Sequence, residues 1–134
     1  MADSGARILV VDDDEGVREL VVRMLREAGY EVVAVNDGLA ALEAAKTAAV
    51  PYALVITNNR MPHLSGAEMI ARLRVACPGL PIIHLDDRST TFTLPNDVPN
   101  LGKPFRVDRL LQLVATELLR SGVQSEEPQS QKNL

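Results

Sequence analysis

Two hydrophobic patterns alternate along the chain. Short unbroken apolar runs are followed by longer stretches whose apolar residues recur three and four positions apart. The run Arg7-Ile8-Leu9-Val10-Val11 closes on Asp12, Asp13 and Asp14, the pattern of a strand buried on both faces of a parallel sheet. Val17, Leu20, Val21, Met24, Leu25 and Ala28 then trace one helical stripe, with Asp14 suited to cap its start and Gly29 to stop it. Glu31–Val35 predicts a second strand. Asn36-Asp37-Gly38 opens an alanine-rich second helix carrying Leu39, Leu42 and Ala45. Tyr52–Thr57 predicts a third strand, ending at Asn58. Ser65, with Glu68 three residues on, forms a capping box for a third helix whose inner face is Met69, Ile70, Leu73 and Ala76. Pro78-Gly79 ends that helix.

Pro81–Leu85 predicts a fourth strand, ending in Asp86 and Asp87. The next ten residues are Thr-rich, are punctuated by Pro95 and show no helical period. Val98–Leu101 predicts a short fifth strand. Val107, Leu110, Leu111, Val114 and Leu118 predict a last amphipathic helix, with Leu113 and Leu119 outside its main stripe. Five strand–helix units with right-handed crossovers give a doubly wound α/β sheet with helices on both faces. Residues 1–5 read as an N-terminal extension, 6–120 as one domain, and 121–134, rich in Ser, Gln and Glu, as a disordered tail or truncated linker.

Composition narrows the possible functions. The 134 residues are 46% hydrophobic and 24% charged, an ordinary globular balance. No apolar stretch is long enough to span a bilayer, and the polar N-terminus lacks a secretory signal. The single cysteine, Cys77, makes no internal disulfide and points to a reducing, cytoplasmic setting. The net charge of −4 and an aromatic content of 3% argue against a nucleic-acid surface. His63 and His84 share no metal-ligand spacing and read as surface or core residues.

In a doubly wound sheet the functional site lies at the carboxyl ends of the strands. Those ends carry Asp12, Asp13 and Asp14, then Asn58, then Asp86 and Asp87, and Lys103 after the fifth strand. Acids converging from several strands suit a hard cation such as Mg²⁺, and a neighbouring lysine suits a phosphoryl oxygen or charge balance.

These residues carry a resemblance. Ile8-Leu9-Val10-Val11-Asp12-Asp13-Asp14, Gly29-Tyr30, Gly38 with Ala41-Leu42, Leu54–Thr57, Met61-Pro62, Gly66, Leu73-Arg74, Pro81-Ile82-Ile83 and Lys103-Pro104-Phe105 occur in the order and spacing of the CheY-like receiver domain of bacterial two-component response regulators. The resemblance covers residues 6 to about 120. It implies a flavodoxin-like five-stranded parallel sheet of order 2-1-3-4-5. It also implies phosphoryl transfer from a histidine kinase onto an aspartate at the end of the third strand. By position, Asp12 and Asp13 become the acidic pair for Mg²⁺, with the position-58 side chain and the backbone carbonyl of Arg60. Lys103 becomes the phosphoryl-site lysine, before a cis Lys–Pro bond.

The chain departs from that pattern at the centre of the site. Asn58 stands at the phosphoacceptor position, and an amide is a poor nucleophile toward a phosphoryl group. Asp86 stands where the family has a Ser or Thr switch residue. Asn100 stands at the aromatic switch position. The segment between Asp86 and Lys103 is short, so the fourth of the family's five helices is expected to be short, distorted or absent. Asp12, Asp13 and Asp86 with Lys103 keep the family's formal pocket charge, moved in place. Two carboxylates about 4 Å apart repel by roughly 1–4 kcal/mol, so Asn58 relieves repulsion and weakens Mg²⁺ binding. Asp86 is expected to pair with Lys103.

The reading is therefore a non-enzymatic receiver domain, unphosphorylated as it stands. Its expected partners are a sensor kinase or another signalling protein, with a possible homodimer through the last helices and no nucleic-acid or membrane contact. Two alternatives stay open. One is an ordinary receiver in which Asp was deliberately replaced by Asn58. The other is a haloacid-dehalogenase-like phosphatase built on Asp12-x-Asp14 and Asp86-Asp87, although its lysine should precede the second acidic pair and Lys103 follows it.

Overall fold

The computed structural model describes residues 6–58, 61, 63–86 and 95–126; for Asp86 and 121–126 only the backbone is described. The elements run β1 (Arg7–Val11), α1 (Glu15–Glu27), β2 (Glu31–Val35), α2 (Gly38–Thr47), β3 (Leu54–Thr57), α3 (Gly66–Ala76), β4 (Ile82–Asp86), β5 (Asn100–Gly102) and α4 (Val107–Glu126). All four strand pairings are parallel. The order β2-β1-β3-β4-β5 is the one the resemblance implies.

Alternation along the strands divides the core in two. Ile8, Val10, Leu54, Ile56, Ile83, Leu85 and Leu101 face one side, where they meet Val21 and Leu25 of α1 and Leu110 and Val114 of α4. Leu9, Val11, Val55 and Ile82 face the other, where they meet Ala41 and Leu42 of α2 and Met69, Ile70 and Leu73 of α3. A strand with a layer on each face must be apolar at every position, which is why β1 and β3 read as unbroken runs.

The caps predicted at Asp14 and Ser65 form, and Asp37 is found capping α2. The Asp14, Asp37 and Ser65 side chains accept from the backbone N–H groups of Val17, Ala40 and Glu68. Gly29 follows α1 at φ +101°, a region open to glycine at little cost. The stripes are narrower than the sequence suggests. Leu20, Leu39 and Val107 are exposed, and so are Ala28 and Ala76. For α2 the cause is close packing. A Cβ at Gly38 would lie 3.0 Å from the Leu64 carbonyl oxygen, so the Gly38 face turns inward and Leu39, one residue round the helix, turns out.

Helix α4 continues to Glu126, beyond position 120 where order was expected to end. Its first sequence obstacle is Pro128, which disfavours helix at the residue before it. Leu113, placed outside the apolar stripe, packs against the core, while Leu119 is exposed. Among the described residues no helix lies between β4 and β5; residues 87–94 lie outside them. No helix is long and apolar enough to cross a membrane among the described residues.

Truncating Leu73, fully buried on α3, to Ala is expected to cost about 2–5 kcal/mol. Val75→Ala, on the same helix but 82% exposed, should stay within about 0.5 kcal/mol. Urea unfolding of the two variants checks this difference.

Candidate functional site

The central strands β1 and β3 deliver the site. The sheet ladder runs past their last residues: the Asp12 N–H donates to the Val35 carbonyl and the Asn58 N–H to the Val11 carbonyl. Both backbones are thereby held extended, and Asp12 and Asn58 are both buried. The Thr57 hydroxyl donates to the Asn58 carbonyl at 2.8 Å, fixing the exit from β3.

Asp12 is 1% exposed. One carboxylate oxygen accepts from the Asp14 N–H at 2.9 Å, and the other faces Lys103 Nζ at 3.4 Å. Its backbone carbonyl accepts from the Arg18 guanidinium at 2.8 Å. Burial nevertheless dominates. It holds the Asp12 carboxyl above its ordinary value; the Asp14 N–H and the Lys103 charge pull the other way, and neighbouring Asp13 adds a small push upward.

Asp13 is exposed, and its carboxylate accepts from the Asn58 side-chain N–H at 3.3 Å. Asn58 therefore does more than remove a repulsive charge: its amide donates to the acid beside it. Asp14 is used as the α1 cap.

Lys103 follows β5 and precedes a cis peptide bond to Pro104. Its partner among the described side chains is Asp12. Asp86 ends β4 in register with Gly102, but its side chain lies outside the described set. So do Asp87 and the Arg60 carbonyl. Asn100 begins β5, and its side-chain oxygen lies 2.8 Å from Nδ1 of the buried His84.

Oxygen donors suit Mg²⁺, and Asp12, Asp13 and Asn58 supply them. Two features of the set stand out. Asn58 brings no charge and turns its N–H toward Asp13, while both Asp12 oxygens are already engaged. Among the described residues no group of three or more His, Cys, Asp or Glu gathers as a metal site, so the acids expected from three strand ends reduce there to Asp12 and Asp13.

The sequence stretch 8–115 matches the family of the response regulator receiver domain. The chain belongs to that family. The receiver domain is 38% identical over 120 residues to the response regulator MprA of Mycobacterium leprae, covering 86% of this chain and 52% of that protein. It is 33% identical over 127 residues to the response regulator protein FleR of Pseudomonas aeruginosa, covering 91% of this chain and 26% of that protein. It thus spans about a quarter to a half of these curated relatives. Among solved structures, it is similar to the response regulator protein TrrA of Thermotoga maritima in complex with Mg²⁺–BeF. The TM-score is 0.73 at 33% identity, covering 83% of this chain and 97% of that one. A CheY-like receiver from Methanospirillum hungatei superposes with a TM-score of 0.83 at 22% identity, covering 90% and 99%, a likeness of fold. Receiver domains are in general signalling modules that bind Mg²⁺ and work with histidine kinases or other signalling proteins.

Sequence reasoning missed Arg18 on the Asp12 carbonyl and the His84–Asn100 bond. It also missed Glu117, a buried acid on the inner stripe of α4 that accepts from Arg120 at 2.8 Å. Only the i,i+3 spacing of Glu117 and Arg120 carried a sequence signal.

Because burial raises the Asp12 pKa, the folded state holds that proton to higher pH than the unfolded state. Stability then falls as pH rises from about 3.8, the unfolded value, through the raised folded value. Asp12→Asn, compared with the unsubstituted chain in chelator, should be the more stable protein at pH 7. The gain should vanish below the unfolded value. Thermal unfolding between pH 3 and 8 tests the sign.

Proposed function

We propose that this receiver domain acts in two-component signalling by binding other proteins in the cytoplasm, and that it carries no acyl phosphate as it stands. Asn58 supports this reading. It occupies the end of β3, buried, beside the acidic pair. A carboxamide spends its nitrogen lone pair in resonance and presents no anionic oxygen to phosphorus. Its N–H bond to Asp13 supplies part of the attraction that a cation would otherwise provide. Lys103 already has a carboxylate partner in Asp12.

When bound, Mg²⁺ would neutralise the acids at the strand ends. Asp12 and Asp13 would hold it, with the Asn58 oxygen after a turn of the amide. With one anionic oxygen fewer than three carboxylates provide, binding is weak. Titration calorimetry should find Mg²⁺ bound at least about tenfold more tightly by Asn58→Asp, a difference of roughly 1.4 kcal/mol. Equal affinities would remove the case for weakened binding.

Intact mass after incubation with Mg²⁺ and a small-molecule phosphodonor tests the reading directly. The chain should gain no phosphoryl adduct. An adduct on Asn58→Asp alone would make Asn58 the sole block, whether natural or engineered. No adduct on either would extend the loss to the whole site, with Asp86 the next residue to revert. An adduct on the unsubstituted chain would overturn the proposal.

A further inference from the structure

Among the described residues, strand β5 is three residues long, lies at the sheet edge and pairs only with β4. Edge pairing of that length frays readily. Lys103, the cation of the site, is nevertheless the next residue along the chain. What holds β5 therefore decides where the ammonium sits.

We propose that His84 and Asn100 form a side-chain bolt across β4 and β5 that positions Lys103 against Asp12. The two residues are direct partners in the strand register, and two steps on Asp86 pairs with Gly102. His84 is 1% exposed, and its Nδ1 lies 2.8 Å from Asn100 Oδ1. An amide oxygen only accepts, so Nδ1 carries the hydrogen. Asn100 is exposed, with water within reach of its amide. Were Asn100 to turn outward, the buried imidazole could not follow, and its N–H would lose this acceptor. Losing a partner at a buried donor is far more costly than losing one at the surface. The burial of His84 thus keeps Asn100 turned inward, and the inward Asn100 ties the first residue of β5 to β4.

The backbone adds to the same tie, since the His84 N–H donates to the Pro99 carbonyl at 2.9 Å. The consequence is a lysine held on Asp12. This extends the proposal of a receiver that works without phosphate, and rests on it for its functional meaning.

Amide hydrogen exchange and the ¹⁵N signal of the Lys103 ammonium, measured on the full chain, test the bolt. Asn100→Ala and His84→Ala should each speed exchange of the β5 amides about tenfold or more while β1 amides stay unchanged. Both should shift the Lys103 signal, and the double variant should do no more than either alone. His84→Asn, whose side-chain N–H falls near the place of the Nδ1 hydrogen, should bring β5 back toward the original rate although it leaves a similar cavity. Unchanged β5 exchange in Asn100→Ala would overturn the proposal. So would His84→Asn behaving as His84→Ala, which would assign the effect to packing. A phosphoryl adduct on the unsubstituted chain would instead defeat the reading of the site and leave these exchange results standing.

Discussion

A carboxylate buried at the end of the central strand sets the terms for the rest of the site. Taking an ionised Asp out of water costs several kcal/mol unless donors meet it. Asp12 finds two, the Asp14 N–H and the Lys103 ammonium. Each reaches into another element. Asp14 also caps α1, so the start of that helix and the neutralisation of Asp12 share one residue. Lys103 comes from the far edge of the sheet, so the exit from β5 is bound to the end of β1. Arg18, from the second turn of α1, closes over the Asp12 carbonyl. Burial still outweighs these partners and holds the Asp12 carboxyl above its ordinary value.

Asn58 matters because it is neutral and bifunctional. An aspartate there would add a third anion to a pocket in which burial already strains the first. The amide places an N–H against Asp13 instead. An attraction thus stands where a second carboxylate would repel. A similar exchange occurs at the sheet edge. There Asn100 makes a directional bond to a buried imidazole. Both residues place a hydrogen bond within the fold, to Asp13 and to His84.

Much of this was legible in the chain. Helix caps at Asp14 and Ser65 and the strands ending at Asp12 and Asn58 depend on neighbours in sequence, and such signals are local. So is the division of the core, because alternate residues of a strand must face opposite layers. The inner faces of α1 and α2 were legible only to within one residue. Leu20 and Leu39 extend the apolar period yet face water, since helix rotation is set by what each helix meets; for α2 that is Leu64 seated against Gly38.

The amino-acid sequence determined the element order, the fold class and the cluster of polar residues at the strand ends, because periodicity and capping operate over a few residues. It also determined that position 58 carries an amide. Tertiary structure alone decided three pairings: Lys103 with Asp12, Asn58 with Asp13 and His84 with Asn100. The first two join residues far apart in sequence, and which donor reaches which acceptor depends on sheet register and on how much water burial leaves behind. Neither quantity is written in any local stretch of the chain.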